Sequence, residues 1–539
     1  MITLALPLRL SRCLPALAAV LFQLQAHAAP DPATWDTDYR RVLTNPEAVI
    51  PPQCYTRTEG RFNPCYTCHQ SRPVREGRPN LMDDGHLQGA YAFSEVGRKN
   101  HWTNLFVDRR AAIAAISDAD ISRYVAIDNY TPLIDTLRRH GFRGWVPDLA
   151  DLSDPLRAFD DQGRARDGSG WVAFQYKPLP STFWPTNGSF DDVMIRLPQA
   201  FREDAAGAPS WPIYLANLGI LEAAIKGLTS IDTPPIDERT IGRDLDADGR
   251  LGPSTHLRRP DRYLGGASTV AVVPFLYPVG TEFLHTVRYL AVDGRGGIHP
   301  AARMKEVRYL VKERWLDEAN LGALYDEEAW EKQQGFLPQM GWQAERGAVN
   351  GFGWRLQGFI EDAQGHLRPQ TQEETFFCKG CHTSLGATID QTFAFPRKLP
   401  GARGQGYIEL RGMPDAPMLG EVEGEIRQYL RRVGGGDEFR ANGEMIERWF
   451  APDGQPDPVR LAQAKDVYTL ITPSAARALA LDKAYLGIVR EQSFRHGRDA
   501  TLMPTVNVYR QVDPEVPPLA PEHRAEGNLL LDWSSVTRP

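Results

Sequence analysis

Cysteine is scarce, with six in 539 residues. That density excludes a small disulfide-stapled scaffold. Long hydrophobic runs are also scarce. The best one, Leu14–Leu24, is too short to cross roughly 30 Å of hydrocarbon, so the expectation is no membrane span. Positive charge is not in excess: 61 Lys+Arg stand against 68 Asp+Glu, for a formal charge of −7. A nucleic-acid partner, which calls for a basic footprint, is therefore not expected. Internal repeats, low-complexity tracts and the G-x-S-x-G, H-E-x-x-H and P-loop patterns are all missing, which removes several common catalytic signatures. What remains is a chain of ordinary globular composition, 42% hydrophobic and 24% charged, with ample length for a buried core.

Residues 1–28 read as a secretory signal. Arg9 and Arg12 precede the apolar core, and Ala26-His27-Ala28 offers a small-x-small cleavage site before Ala29. Cys13 precedes the apolar core and is not placed as a lipidation cysteine would be. Cleavage removes two Arg and no acid, which takes the formal charge from −7 to −9. The expected location is periplasmic or secreted. Five cysteines remain: Cys54, Cys65, Cys68, Cys378 and Cys381.

Four of these five form two copies of one pattern, Cys65-Tyr-Thr-Cys68-His69 and Cys378-Lys-Gly-Cys381-His382. C-x-x-C-H is the attachment signal for haem c. Two thiols add across the two vinyl groups of one porphyrin edge, and the following His is held beneath the iron. A Cys₄ zinc centre and a pair of redox disulfides are the competing readings. Neither uses the His that follows each pair. Cys54 is left over and reads as a buried thiol, an iron ligand or a partner in an intermolecular disulfide.

At these two pentapeptides and the export signal the sequence resembles the di-haem c-type cytochromes. Bacterial di-haem peroxidases and rubber-cleaving oxygenases are looser comparisons. The resemblance implies two covalently bound haem c groups, with Cys65, Cys68, Cys378 and Cys381 as thioether attachment sites. It implies His69 and His382 as proximal iron ligands. The expected function is electron transfer with a redox partner protein or a small electron donor or acceptor. The alternative is a peroxidase or oxygenase with one catalytic and one relay haem. The choice turns on the sixth iron ligand. His285 leads the candidates, on an alternating stretch with Phe283, Val287 and Tyr289. His86 and His101 follow the first motif, and Met413 and Met418 follow the second.

A third signal is Asp244-Leu-Asp246-Ala-Asp248-Gly249-Arg250, the first half of a calcium loop. Carboxylates of Asp244, Asp246 and Asp248 and the carbonyl of Arg250 are the candidate Ca²⁺ ligands. Position 12 is Thr255 rather than Glu, so a further carboxylate must come from elsewhere. A solvated Asx-rich turn is the competing reading.

The expected fold is α+β, largely helical and irregular with a smaller β region, embedding the haems in a multi-segment globule. The segments are 29–150 around the first motif, 151–300 with the calcium loop and strands, 301–440 around the second motif, and 441–539, helical with a Pro-rich tail. Helices are expected at 108–116, 132–140, 211–228, 301–316, 425–433, 459–471 and 474–492. Strands are expected within 269–292.

Overall fold

The computed structural model describes Leu43, Asn45 and residues 47–70, 82–181, 183–337, 339–434, 442–516 and 518–537. The signal segment 1–28, with Cys13, lies outside the described residues. The fold is α+β, as expected, and is organised by one eight-stranded antiparallel sheet that does not close into a barrel.

The strands are β1 (Val172–Ala173), β2 (Phe190–Arg196), β3 (Ser230–Asp237), β4 (Pro253–Arg258), β5 (Glu282–Val292), β6 (Ile298–Lys312), β7 (Gly341–Gln343), β8 (Gly347–Val349), β9 (Trp354–Glu361) and β10 (Leu367–Pro369). The large sheet runs β1-β2-β5-β6-β9-β8-β7, with β10 also on β9, while β3 and β4 pair by themselves. The long β5–β6 hairpin is its centre and straddles residue 300. It turns at Asp293–Gly297, where Asp293 Oδ1 accepts the N–H groups of Arg295 and Gly297, each at 2.8 Å. Gly296 takes φ +80°, a conformation that glycine adopts without steric cost.

Strand periodicity sorts side chains to two cores. Val193, Ile195, Phe283, Leu310 and Leu356 enter one, while Met194, Leu284, Val307, Tyr309 and Phe359 enter the other. Both faces are covered, which explains why every residue of β9 is buried. The buried helix Trp211–Lys226 packs in the first core and ends at Gly227 in the left-handed conformation.

Two sequence expectations need correction. Residues 301–316 are not helical; most of them form β6. Helix formers such as Ala, Arg, Met, Lys and Glu dominate its first half. Ladder hydrogen bonds to β5 and β9 override that weak local preference. Residues 459–471 form two short helices, Pro458–Ala462 and Val467–Ile471, rather than one. Asp466 caps the second by accepting from Thr469 N, which breaks the run.

Candidate functional site: two adjoining CxxCH cavities

The two motifs adopt the same local backbone in different settings. The first begins inside the 3₁₀ turn Pro64–Thr67, capped by Asn63, whose side chain accepts from Tyr66 N. The second begins in the last turn of the helix Gln372–Lys379, started by a Thr371–Glu374 capping box. In each, the His N–H bonds to the carbonyl of the first Cys at 2.9 Å, and the second Cys N–H bonds to the same carbonyl at 3.2 Å. One turn of chain thus returns each His toward the cysteine that opens its motif.

The motifs are 313 positions apart in sequence but adjacent in space. Ala387 N donates to Cys68 O at 2.9 Å. Gly386 N donates to Asp84 Oδ1 at 2.9 Å, while Asp84 Oδ2 lies 3.0 Å from His69 Nδ1. Asp84 therefore ties the first motif's histidine to the chain just beyond the second motif. Burial opposes its charge, yet the His69 ring, Lys332 and the Gly386 N–H hold Asp84 below the usual carboxylate range. Gly386 is required here, since a Cβ would stand 2.5 Å from Gln70 N and O.

His382 is held differently. Its Nδ1 lies 3.0 Å from the carbonyl oxygen of Gln391. That carbonyl belongs to a two-residue turn in which Asp390 and Gln391 both have positive φ, 47° and 69°. Such a turn is costly for non-glycine residues. It is secured by Asp390, whose Oδ1 accepts from Lys312 Nζ at 2.6 Å and whose Oδ2 accepts from Tyr277 N at 3.0 Å. Burial, and the nearby Arg308 and His285, push the His382 ring down to about 4, so it is neutral and able to ligate a metal.

Each motif lines its own cavity. The first holds Cys65, Cys68 and His69, with Cys54 on its wall. The second holds Cys378, Cys381 and His382. Pro51, Gln53, Pro64 and Cys68 line both, so the cavities share a wall.

The floor of the second cavity is a polar patch on the sheet. Asp191 on β2, His285 on β5, and Glu306 and Arg308 on β6 all contribute. His285 thus faces the cavity of His382, from the strand expected for it. The Phe183 ring lies against His285 at 6.5 Å and against Phe393 at 5.3 Å, and Phe393 in turn adjoins His382 at 6.4 Å. His285 Nε2 is buried without a hydrogen-bond partner, as is Asp191 Oδ1 at 3.7 Å. Glu306 accepts from both Arg308 and Arg498. Burial opposes its charge, but the two guanidiniums hold it down to about 2.

The other sixth-ligand candidates lie elsewhere. His86 is exposed and lines neither cavity. The loop does return to the motif, but through Asp84, two residues earlier. His101 also lines neither cavity. Met413 and Met418 are packed in the main core. Burial pushes the Cys65 and Cys381 thiols up to about 11 and raises those of Cys54, Cys68 and Cys378. Reactive redox cysteines show the opposite shift. Among the described residues, the one group of three or more His, Cys, Asp or Glu side chains poised to share a metal ion is Glu238, Asp244 and Asp246. A preassembled Cys₄ zinc centre is therefore not formed among them.

That acidic group includes two residues of the Asp244–Arg250 loop and adds Glu238. This carboxylate comes from upstream, six residues before Asp244, where the half-motif gave no cue. Glu238 is buried and accepts Leu245 N at 2.6 Å and Gly252 N at 3.0 Å, bracketing the loop. Asp248 and Arg250 are exposed.

A family model described as "-like lipoprotein" matches residues 39–467. The chain belongs to this lipoprotein family. It is also 31% identical, over 518 aligned residues, to an "Uncharacterized lipoprotein" of Aquifex aeolicus (strain VF5), covering 84% of this chain and 86% of that protein. No solved structure matches. Membership corrects the resemblance drawn from the motifs: the family match covers most of the chain and is to lipoproteins, not to the di-haem cytochromes. The physical reason is that CxxCH is dictated by a cofactor's chemistry and occurs on unrelated folds. The lipoprotein family is an exported one, in agreement with the signal segment. No helix among the described residues is long and apolar enough to cross a membrane.

Proposed function

We propose that this lipoprotein-family chain is an exported, periplasmic or secreted protein that holds two covalent haems side by side and passes electrons between redox partners. The observation that carries the reading is that each CxxCH turn opens into its own cavity, and the two cavities share a wall at Cys68. Cys65 and Cys68 would tether one haem, and Cys378 and Cys381 the other. His69 and His382 would be the proximal ligands, each with its other ring nitrogen anchored, as metal-bound histidines require.

A pyridine haemochrome assay on exported protein should count two haems per chain, and a count of zero would sink the reading. The peroxidase or oxygenase alternative is favoured by one observation, the unequal ligand supply of the two cavities. Ca²⁺ bound by Glu238, Asp244 and Asp246 would be structural, bracing the loop onto the β3–β4 hairpin.

A further inference from the structure

The two cavities differ in what faces the proximal histidine, and resting on the two-haem reading, the difference divides their roles. We propose that the first cavity is an open coordination site that takes an uncharged diatomic ligand such as CO or O₂, whereas the second is closed internally by His285.

Ligand supply is the first argument. Two histidines, His382 and His285, line the second cavity, and the buried Nε2 of His285 makes no hydrogen bond, its nearest charged neighbour being Asp191 Oδ1 at 3.7 Å. A buried imidazole nitrogen and a buried carboxylate oxygen that do not close into a hydrogen bond are costly unless something else satisfies them. In the first cavity His69 is the sole His or Met among the lining residues. The chain outside the described residues cannot supply another after signal cleavage, because those positions contain neither His nor Met.

Cys54 also lines this cavity, as a thiol that burial keeps protonated, and the remaining donors on that wall are engaged. Tyr91 Oη donates to Thr56 O at 2.7 Å and accepts from Thr58 N at 3.1 Å. Lys332 donates to the Ser384 carbonyl. Lys379 lies over the Phe376 ring and is attracted by Glu328 and Glu331. Much of the remaining wall is apolar, with Val49, Ile50, Phe93, Phe336, Leu337 and Leu385. Such a wall charges a desolvation cost to an ion but not to an uncharged diatomic.

Proximal chemistry is the second argument. His69 Nδ1 is bonded to the carboxylate of Asp84, whereas His382 Nδ1 is bonded to a neutral carbonyl. A carboxylate partner makes the imidazole the more basic ligand. A more electron-rich ferrous iron back-donates more strongly to CO and O₂, so the second argument selects the same cavity as the first. Asp84 is a positioning residue in this scheme.

The test uses the full exported chain. The haem count comes first, and a count other than two refutes the functional reading rather than this division. With two haems present, CO titration of the dithionite-reduced protein should bind one equivalent per chain. Ferric EPR should show one high-spin and one low-spin centre. His285→Ala should raise CO binding to two equivalents. Asp84→Asn should keep one equivalent and shift the Fe–His stretching band of the ferrous high-spin haem in resonance Raman. Two equivalents, or none, in the wild type would overturn the proposal without any variant needing to fold. So would an unmoved band in Asp84→Asn, which would place the open haem elsewhere.

Discussion

The turn that holds His382 depends on one buried ion pair, and Asp390→Asn isolates its contribution. Lys312 Nζ and Asp390 Oδ1 lie 2.6 Å apart, and both side chains are 1% exposed. The substitution preserves shape and the left-handed backbone, which Asn tolerates about as well as Asp. It removes the negative charge and leaves the Lys312 ammonium with the Phe352 carbonyl at 3.2 Å. Breaking a buried pair from one side costs about 3–5 kcal/mol, because the surviving charge is uncompensated. Against a total stability on the order of 5–15 kcal/mol, the loss would be large. Urea denaturation should show a lower midpoint at unchanged slope. Lys312→Met combined with Asp390→Asn should recover part of the loss, since no lone charge remains. A loss below about 1 kcal/mol for Asp390→Asn would refute the argument, as would a double variant no more stable than Asp390→Asn alone.

Glu306 should set part of the acid stability. Its folded value of about 2 lies below the ordinary 4.5, so its contribution is complete above pH 4.5 and is lost as pH falls toward 2. That gap corresponds to about 3 kcal/mol. Glu306→Gln should flatten the stability–pH curve over this window, and an unchanged curve would remove Glu306 as its source. Gly386→Ala should cost about 1–3 kcal/mol by overpacking, because its Cβ would meet the Gln70 backbone at 2.5 Å; a neutral result by denaturation would mean the two motif segments are not locked together. Millimolar Ca²⁺ should raise the wild-type melting temperature through mass action, and Glu238→Gln should remove most of that rise. Equal shifts in both proteins would reject the loop as the site.

Some of the site was legible because its chemistry is local. The CxxCH pentapeptides announce themselves through five adjacent residues, and His285 was readable from the period-two pattern of its strand. Asp84 was hidden, although it lies only two residues before His86, because nothing in a loop sequence says which polar side chain will turn inward. Glu238 was hidden for a similar reason. It precedes the loop it caps and reaches it only through the β3–β4 hairpin. The misread of residues 301–316 has another cause. Its helix-forming composition is a local preference worth tenths of a kcal/mol per residue, and two flanking ladders outweigh it.

The sequence by itself determined the export signal, the two CxxCH turns and the α+β class, because each is written in short-range spacing. Tertiary structure alone decided that motifs 313 positions apart share a wall. It also decided that one histidine leans on a carboxylate and the other on a carbonyl, and that a second histidine faces only one of them. Those are long-range facts. They arise from the sheet that sets β2, β5 and β6 beside one another and from the close approach at Gly386 that brings the motif segments together.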